Sequence, residues 1–243
     1  MQEMTDHTHK LTTVPVKGIN VFNFSSINEL IDYVSAHPSL LVAINAEKVV
    51  NAKQALVDII NDNIGYCDGA GAVKALRYKG HPEVVRIPGC ELWLHIIDRF
   101  HDTKSFYLVG GKPGVVDEVV AKLREKYPEI RIAGSRNGYI ADDAERQALI
   151  DDIKLTAPDV VFVAMGSPKQ EYLMSDMKRV HPAAIYQGLG GSFDVYTCHQ
   201  KRAPEWWRNN NLEFLYRFYA TPMRLPRLKS YLIYALKLYT GQL

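Results

Sequence analysis

The chain contains 243 residues, of which 47% are hydrophobic and 23% are charged, with a formal net charge of +2. These values are typical of a soluble globular protein and do not suggest a general nucleic-acid binder. No apolar run approaches the ~20 residues of a membrane-spanning helix. The amino terminus lacks the apolar stretch of a signal peptide, and three scattered cysteines indicate neither disulfides nor zinc. We therefore expect a cytoplasmic location.

Short apolar runs alternate with segments of helical periodicity along most of the chain. A first helix is predicted over 26–34, where Ser26 and Glu29 form a capping box. Further helices are predicted over 89–101, 114–127 and 142–153, and the apolar runs that predict strands are 40–46, 63–66, 105–111, 160–166 and 184–191. Apolar strands that alternate with helices indicate an α/β fold, a Rossmann-like, mainly parallel sheet sandwiched by helices.

Glycine or polar residues end or follow each of these five apolar runs. Open parallel sheets bind ligands at the carboxyl ends of their strands, so we expect these residues to share one cleft. The candidates are Asn45, Glu47, Asp68, Gly110, Gly111, Lys112, Gly166, Ser167, Pro168, Lys169, Gln170, Gly190, Gly191 and Asp194.

The segment "GSPKQE" predicts a well-capped helix that starts directly after a buried strand. Ser167 is expected at the N-cap position, Pro168 at the first helical position, and Gln170 two residues further on, where it would complete a capping box. The free amide groups of such a helix, together with Lys169, favour a phosphate or diphosphate ligand. The alternative is that these residues only start a helix.

The other strand-end residues also have two interpretations. Asp68 precedes Gly69 and is explained either as part of a turn or as a general base in the cleft. Asp194 has a similar alternative, and Lys112 is either a solvated turn lysine or a phosphate contact. The sequence "GLGGSF" lacks the spacing of a dinucleotide-binding loop. No D-x-D motif is present, and no two histidines have the helical spacing of a metal-ligand pair, so we expect no metal and no other cofactor.

The composition changes after about residue 200, which predicts a core over 1–200 and a helical appendage over 201–243. The appendage contains eight Lys or Arg residues against two Glu, and large aromatic side chains lie between the basic ones. One interpretation is an amphipathic segment at a membrane surface. The other is a pair of helices packed on the core with a solvated basic face. Without a membrane, exposed apolar faces could also drive homo-oligomer formation.

Five segments, taken together, resemble the WecG/TagA/CpsF glycosyltransferase family. They are "AINAEK", "YCDGAGAVKA", "LVGGKPGV", "VAMGSPKQE" and "GGSFDVYTCHQKRAP", in this order and at these spacings. The resemblance extends from about residue 15 to the carboxyl terminus. "VAINAEK" and "YLIYALKLYTGQL" are most similar to the branch of the family that makes enterobacterial common antigen.

The resemblance implies a metal-independent inverting transferase of the GT-E type, bound peripherally to the cytoplasmic face of the inner membrane. Its donor would be UDP-N-acetyl-D-mannosaminuronic acid (UDP-ManNAcA), and its acceptor undecaprenyl-diphosphate-linked N-acetylglucosamine. Asp68 would be the base, Gln170 and Asp194 would correspond to family positions, and Asp194 would contact the nucleotide. The family often has a polar residue where this chain has Ala43, which makes Asn45 the candidate polar group there. The appendage arginines expected to hold the diphosphate and lipid headgroup are Arg217, Arg224 and Arg227.

Two other functions stay open. A transferase of the teichoic-acid type would use UDP-N-acetylmannosamine, which lacks the carboxylate of the uronic acid. A non-catalytic nucleotide-binding module at the membrane would bind UDP without turnover.

Overall fold

The structure is a computed structural model that describes residues 10–200, 203–210, 213, 215–216 and 228–243, except the side chains of 208 and 209. The strands in these ranges are β1 (Thr13–Val16), β2 (Ile19–Phe22), β3 (Leu40–Ile44), β4 (Ile64–Cys67), β5 (Ser105–Gly110), β6 (Arg131–Arg136), β7 (Val160–Ala164) and β8 (Ile185–Gly188). The helices are α1 (Ile27–Ala36), α2 (Ala46–Asn51), α3 (Gln54–Asn61), α4 (Ala70–Tyr78), α5 (Gly89–Phe100), α6 (Val115–Lys126), α7 (Asp143–Thr156), α8 (Lys169–Val180), α9 (Ser192–Tyr196), α10 (Glu205–Asn209) and α11 (Leu228–Tyr239).

Strands β3 to β8 form one parallel sheet in the order β4-β3-β8-β7-β5-β6. The chain builds β3 and β4 at one edge, crosses to β5 and β6 at the other, and returns through β7 to β8 beside β3. The connection after β3 leads to β4 at one edge of the sheet, whereas the connection after β5 leads to β6 at the other edge. Where connections diverge in this way, a parallel sheet opens a crevice at the carboxyl ends of its strands. The predicted α/β fold with a mainly parallel sheet is confirmed.

The sheet is buried on both faces, as its apolar strands require. Successive residues of β7 alternate between two cores, with Val161 and Val163 in one and Phe162 in the other. In the second core, Trp93 of α5 meets Phe162 and Phe193 edge-on, with ring centroids 5.7 Å apart in each pair. This packing fixes α5 against the sheet, so that its first residue lies near the end of β4.

Two strand pairings were not predicted from the sequence. Strand β6, "RIAGSR", is a half-exposed edge strand. It consists mostly of charged and small residues, so it lacks the apolar run that predicted the other strands. Gly134 is required there, because a Cβ atom would lie 2.3 Å from the ring of Tyr107. Strands β1 and β2 form a separate antiparallel hairpin at the amino-terminal side of the chain.

The carboxyl-terminal helix α11 packs against α2 and α4. Tyr234 is 3% exposed, and its hydroxyl donates a hydrogen bond to the carbonyl oxygen of Gly71 at 2.9 Å. Asn51 of α2 donates to the hydroxyl of Ser230 at 2.8 Å. None of the helices in the described ranges combines the length and apolar character needed to cross a bilayer.

Candidate functional site

Asp68 lies at the carboxyl end of β4 and is held at its backbone and its side chain. Its amide donates to the carbonyl of Ile44 at 3.1 Å, and its carbonyl accepts from Nε of Arg86 at 2.8 Å. Its carboxylate oxygen Oδ1 accepts from the amide of Gly89, the first residue of α5, at 2.8 Å. The carboxylate is therefore oriented through Oδ1, and Oδ2 has no hydrogen-bond partner in the part of the chain that the structure describes.

The glycine after Asp68 is explained by a close approach between two strand ends. A Cβ atom at Gly69 would lie 3.2 Å from Cβ of Asn45, which follows the neighbouring strand β3. Gly69 has φ −97°, so left-handed backbone geometry is not its role. Gly69 thus allows the loops that follow β3 and β4 to approach closely, with Asn45 in one and Asp68 in the other.

Asn45 has a structural task of its own. Its side chain caps α2, because Oδ1 accepts from the amide of Lys48 at 3.0 Å. Glu47 is half-buried in the first turn of the same helix. Both predicted residues lie at the carboxyl edge of the sheet, next to the loop that contains Asp68.

Helix α8 begins one residue later than the sequence predicted. Pro168 occupies the N-cap position, and Ser167 makes no capping hydrogen bond, so the predicted capping box is wrong. Pro168 has φ −92° and ψ 0°, and Ser167 is outside the first turn. Ser167, Pro168 and Lys169 are all exposed at the edge of the sheet.

Gln170 joins two strand-end loops instead of capping its helix. Its Oε1 accepts from the amide of Gly166 at 3.1 Å and from the amide of Gly190 at 2.9 Å. Its Nε2 donates to Glu171 at 3.3 Å. A Cβ atom added at Gly188 would lie only 2.3 Å from this Nε2. The side chain is only 5% exposed, so its amide is committed to holding the loops after β7 and β8 in register.

A buried ion pair next to Gln170 was missed by the sequence analysis. Nζ of Lys48 lies 2.7 Å from Oε1 of Glu171, and the two side chains are 6% and 1% exposed. The pair connects α2 with α8 across 123 positions of sequence. No local sequence pattern predicts such a pair, because each residue alone is typical of a charged side chain on the solvent-exposed face of a helix.

A pocket of about 690 Å³ opens beside the loop after β5. The predicted residues Lys112 and Asp194 both line it, and the remaining lining residues are Pro113, Gly114, Val115, Glu118, His199 and Gln200. His199 pairs with Glu118 at 3.0 Å on its rim. Neither His199 nor Gln200 was predicted, although both lie in the segment "TCHQ" that carried the family resemblance.

The glycines around this pocket allow close approach and tight turns. A Cβ atom at Gly110 would lie 2.3 Å from the carbonyl oxygen of Ala164, so β5 and β7 meet closely there. Gly111 and Gly190 have φ of +71° and +59°, which glycine adopts without strain. Gly191 is exposed and precedes α9, the short helix that carries Asp194.

Burial raises the pKa of Tyr66 and Cys67, the two residues of β4 that directly precede Asp68. Burial, with a further contribution from the Asp68 charge, raises the pKa of Cys67 to about 12. The same two causes raise the pKa of Tyr66 well above its usual value. Both groups therefore stay protonated at neutral pH, and Cys67 is not available as a thiolate nucleophile.

Besides the contacts of α11, the appendage reaches the core next to Asp68 through Glu213. Arg86, which holds the carbonyl of Asp68, pairs with Glu213 at 3.0 Å, and the Glu213 side chain is only 5% exposed. The predicted anion-binding residues Arg217, Arg224 and Arg227 lie outside the described residues.

No group of three His, Cys, Asp or Glu side chains in the described ranges is placed to hold a metal ion. The expectation of a metal-independent site stays a prediction, which chelation can test.

The predicted residues thus lie at the carboxyl end of the sheet. Asp68 and Asn45 follow β4 and β3, and the pocket lined by Lys112 and Asp194 lies after β5 and β8. A family model described as "Glycosyl transferase WecG/TagA/CpsF family" matches residues 11–242, which is nearly the whole chain. The parallel sheet, the oriented carboxylate and this match agree, and the chain belongs to the WecG/TagA/CpsF family of glycosyltransferases.

Proposed function

We propose that this glycosyltransferase moves N-acetyl-D-mannosaminuronic acid from UDP to undecaprenyl-diphosphate-linked N-acetylglucosamine. The transfer would invert the anomeric centre, and the product would be an intermediate of enterobacterial common antigen. The observation that carries the transferase chemistry is the Asp68 carboxylate, with Oδ1 held by Gly89 and no described residue bonded to Oδ2. The choice of sugar and acceptor rests on the family resemblance.

Asp68 is the proposed general base. In an inverting transfer, the acceptor hydroxyl oxygen forms a bond to C1 of the sugar while the bond from C1 to the diphosphate oxygen breaks. The hydroxyl proton passes to the base, and UDP leaves with the electron pair of the broken bond. Oδ2 of Asp68 is the atom available to accept that proton.

The departing diphosphate gains negative charge, so positive groups must lie beside it. Lys169 and Lys112 are exposed at the carboxyl end of the sheet, and α8 begins there, with the free amide groups of a helix start. We propose that these groups, together with appendage arginines, stabilise the diphosphate without a metal. Gln170 contributes by fixing the positions of Gly166 and Gly190.

The pocket beside Lys112 suits the nucleoside part of the donor. Its volume accommodates a ligand of that size, and Asp194 offers a carboxylate that can accept hydrogen bonds from ribose hydroxyls. This assignment leaves the space near Asp68 for the sugar and the acceptor.

Helix α11 supports the proposed membrane contact. Its buried side holds it on the core through Tyr234, and Tyr239 at its end contacts Lys74 and Tyr78 of α4, while Leu232 and Leu236 are 64% and 66% exposed. These two leucines are one helical turn apart, and the exposed Lys229 lies one turn before them. Helix α11 can therefore pack on the core with one face and contact a membrane with the other.

A competition assay tests the donor assignment. The purified chain is given the lipid-linked acceptor with equal concentrations of UDP-ManNAcA and UDP-N-acetylmannosamine, and both products are quantified. Preferential transfer of the uronic acid supports the proposal. Equal or preferential use of the neutral sugar would assign the chain to the teichoic-acid type, and UDP binding without product would favour the non-catalytic module.

A further inference from the structure

Gln187 is a fully buried polar residue in the middle of the sheet. It belongs to β8, "IYQG", and is 0% exposed. Burying an amide without a partner costs about 1–3 kcal/mol, so such a residue needs a structural reason. Its Nε2 donates a hydrogen bond to the carbonyl oxygen of Gly89 at 3.0 Å.

Gly89 connects Gln187 with Asp68. Its carbonyl accepts from Gln187, while its amide donates to Oδ1 of Asp68 at 2.8 Å. A Cβ atom at this position would lie 2.8 Å from the hydroxyl of the buried Tyr66 and 3.6 Å from Oδ1 of Asp68. Glycine is therefore the residue that fits, and Gln187 and Asp68 hold it from two sides.

We infer that Gln187 is a positioning residue for the Asp68 carboxylate and acts through Gly89. This inference rests on the proposed function, in which Asp68 is the base. The amide of Gly89 points at Oδ1 because the first turn of α5 is fixed by the bond to Gln187. With Oδ1 occupied, Oδ2 is the oxygen turned to the acceptor hydroxyl. A displacement of about 1 Å at such a group can lower a rate by about 10²-fold.

Gln187→Leu tests the inference, because leucine is similar in size and cannot donate a hydrogen bond to the Gly89 carbonyl. We expect kcat to fall by about 10- to 100-fold, while KM for the UDP-sugar changes less than twofold, since the pocket at Lys112 and Asp194 is not altered. The matched control is Tyr186→Phe, which removes a hydrogen bond to His181 from the preceding residue of the same strand. The control should keep kcat within twofold of the unmodified chain. A parallel loss of kcat in both variants, or a KM effect alone, would overturn the inference.

A double-mutant comparison separates positioning from general loss of structure. If Gln187 acts only through Asp68, adding Gln187→Leu to Asp68→Asn slows transfer no further than Asp68→Asn alone. Multiplicative losses would show that Gln187 acts elsewhere, and the inference would be wrong. If Asp68→Asn alone leaves the rate unchanged, it is the assignment of the base in the proposed function that fails.

Amide hydrogen exchange provides a measurement that does not depend on activity. In Gln187→Leu, we expect the Gly89 amide to exchange at least 10-fold faster than in the unmodified chain. Amides in the middle of α5 should exchange at unchanged rates. Unchanged protection of Gly89 would overturn the inference even if the chain proves to have no transferase activity.

Discussion

Lys48 and Glu171 form a buried ion pair with 2.7 Å between Nζ and Oε1, although the two residues belong to different helices, α2 and α8. Glu171 also accepts a hydrogen bond from Gln170, which holds the amides of Gly166 and Gly190. The pair thus connects the start of α2 to the two loops that are proposed to face the diphosphate.

We predict that Lys48→Met lowers the free energy of unfolding by about 3–5 kcal/mol, because it leaves the Glu171 carboxylate buried without its partner. Urea denaturation of the purified variant measures the change. Arg99→Met is the control, since its pair with Asp32 is 47% and 67% exposed and should contribute less than about 1 kcal/mol. Equal losses in the two variants would contradict the prediction.

Gln170→Ala should weaken donor binding more than it weakens the fold. The substitution frees the amides of Gly166 and Gly190, and we expect KM for the UDP-sugar to rise by about tenfold or more, as expected when about 1.4 kcal/mol of binding is lost. Steady-state kinetics measure the effect. Lys169→Met, at the exposed neighbouring position, tests direct charge contact with the diphosphate. A Gln170→Ala enzyme with an unchanged KM would show that the two loops keep their positions without it.

Asp68→Asn should reduce the transfer rate by about 10²- to 10⁴-fold, the usual contribution of a general base. Asparagine keeps the acceptor atom for Gly89 but takes no proton from the acceptor hydroxyl. The assay uses the lipid-linked acceptor, with UDP affinity measured separately by calorimetry. Affinity within threefold of the unmodified chain would show an intact pocket, and an unchanged transfer rate would exclude Asp68 as the base.

Metal removal should leave transfer unaffected. We expect the rate in excess EDTA to equal the rate in added Mg²⁺ or Mn²⁺ within twofold, because lysines, backbone amides and appendage arginines are proposed to stabilise the diphosphate. The assay compares the enzyme dialysed against chelator with the same preparation resupplied with metal. A loss of activity that added metal restores would require a metal ligand set and refute the proposal.

The outward face of α11 should control membrane binding. The double variant Leu232→Glu with Leu236→Glu adds two negative charges to this face and should reduce co-sedimentation with anionic liposomes by at least fivefold. Leu155→Glu is a suitable control, because Leu155 is 84% exposed on α7. If both proteins bind the liposomes as well as the unmodified chain, α11 is not the contact surface.

The sequence predicted the fold well where one apolar pattern dominates. The helices expected over 89–101 and 114–127 are Gly89–Phe100 and Val115–Lys126 in the structure. Strand β6 was missed because an exposed edge strand has little apolar periodicity. The division at residue 200 stays a prediction.

The candidate site was predicted only as far as local motifs allow. Asp68, Asn45, Lys112 and Asp194 follow strands, so the rule that ligands bind at carboxyl ends identified them. The partners of these residues are distant in sequence: Gly89 bonds to Asp68, and Glu171 pairs with Lys48. Gln170 had a local explanation as a member of a capping box, which is wrong, because its side chain holds the amides of Gly166 and Gly190. Such contacts depend on the packing of whole elements and leave no pattern within one segment.

The contact between α11 and α2 changes how experiments on shortened chains should be interpreted. Helix α2 carries both Lys48, the partner of Glu171, and Asn51, the partner of Ser230. Removing α11 would therefore uncover apolar surface on α2 and disturb the helix that Asn45 caps, besides abolishing any lipid contact. A truncated enzyme that loses activity would not distinguish these two causes. Substitutions confined to Leu232 and Leu236 leave the Tyr234 side of the helix in place, and they attribute a loss to the membrane surface alone.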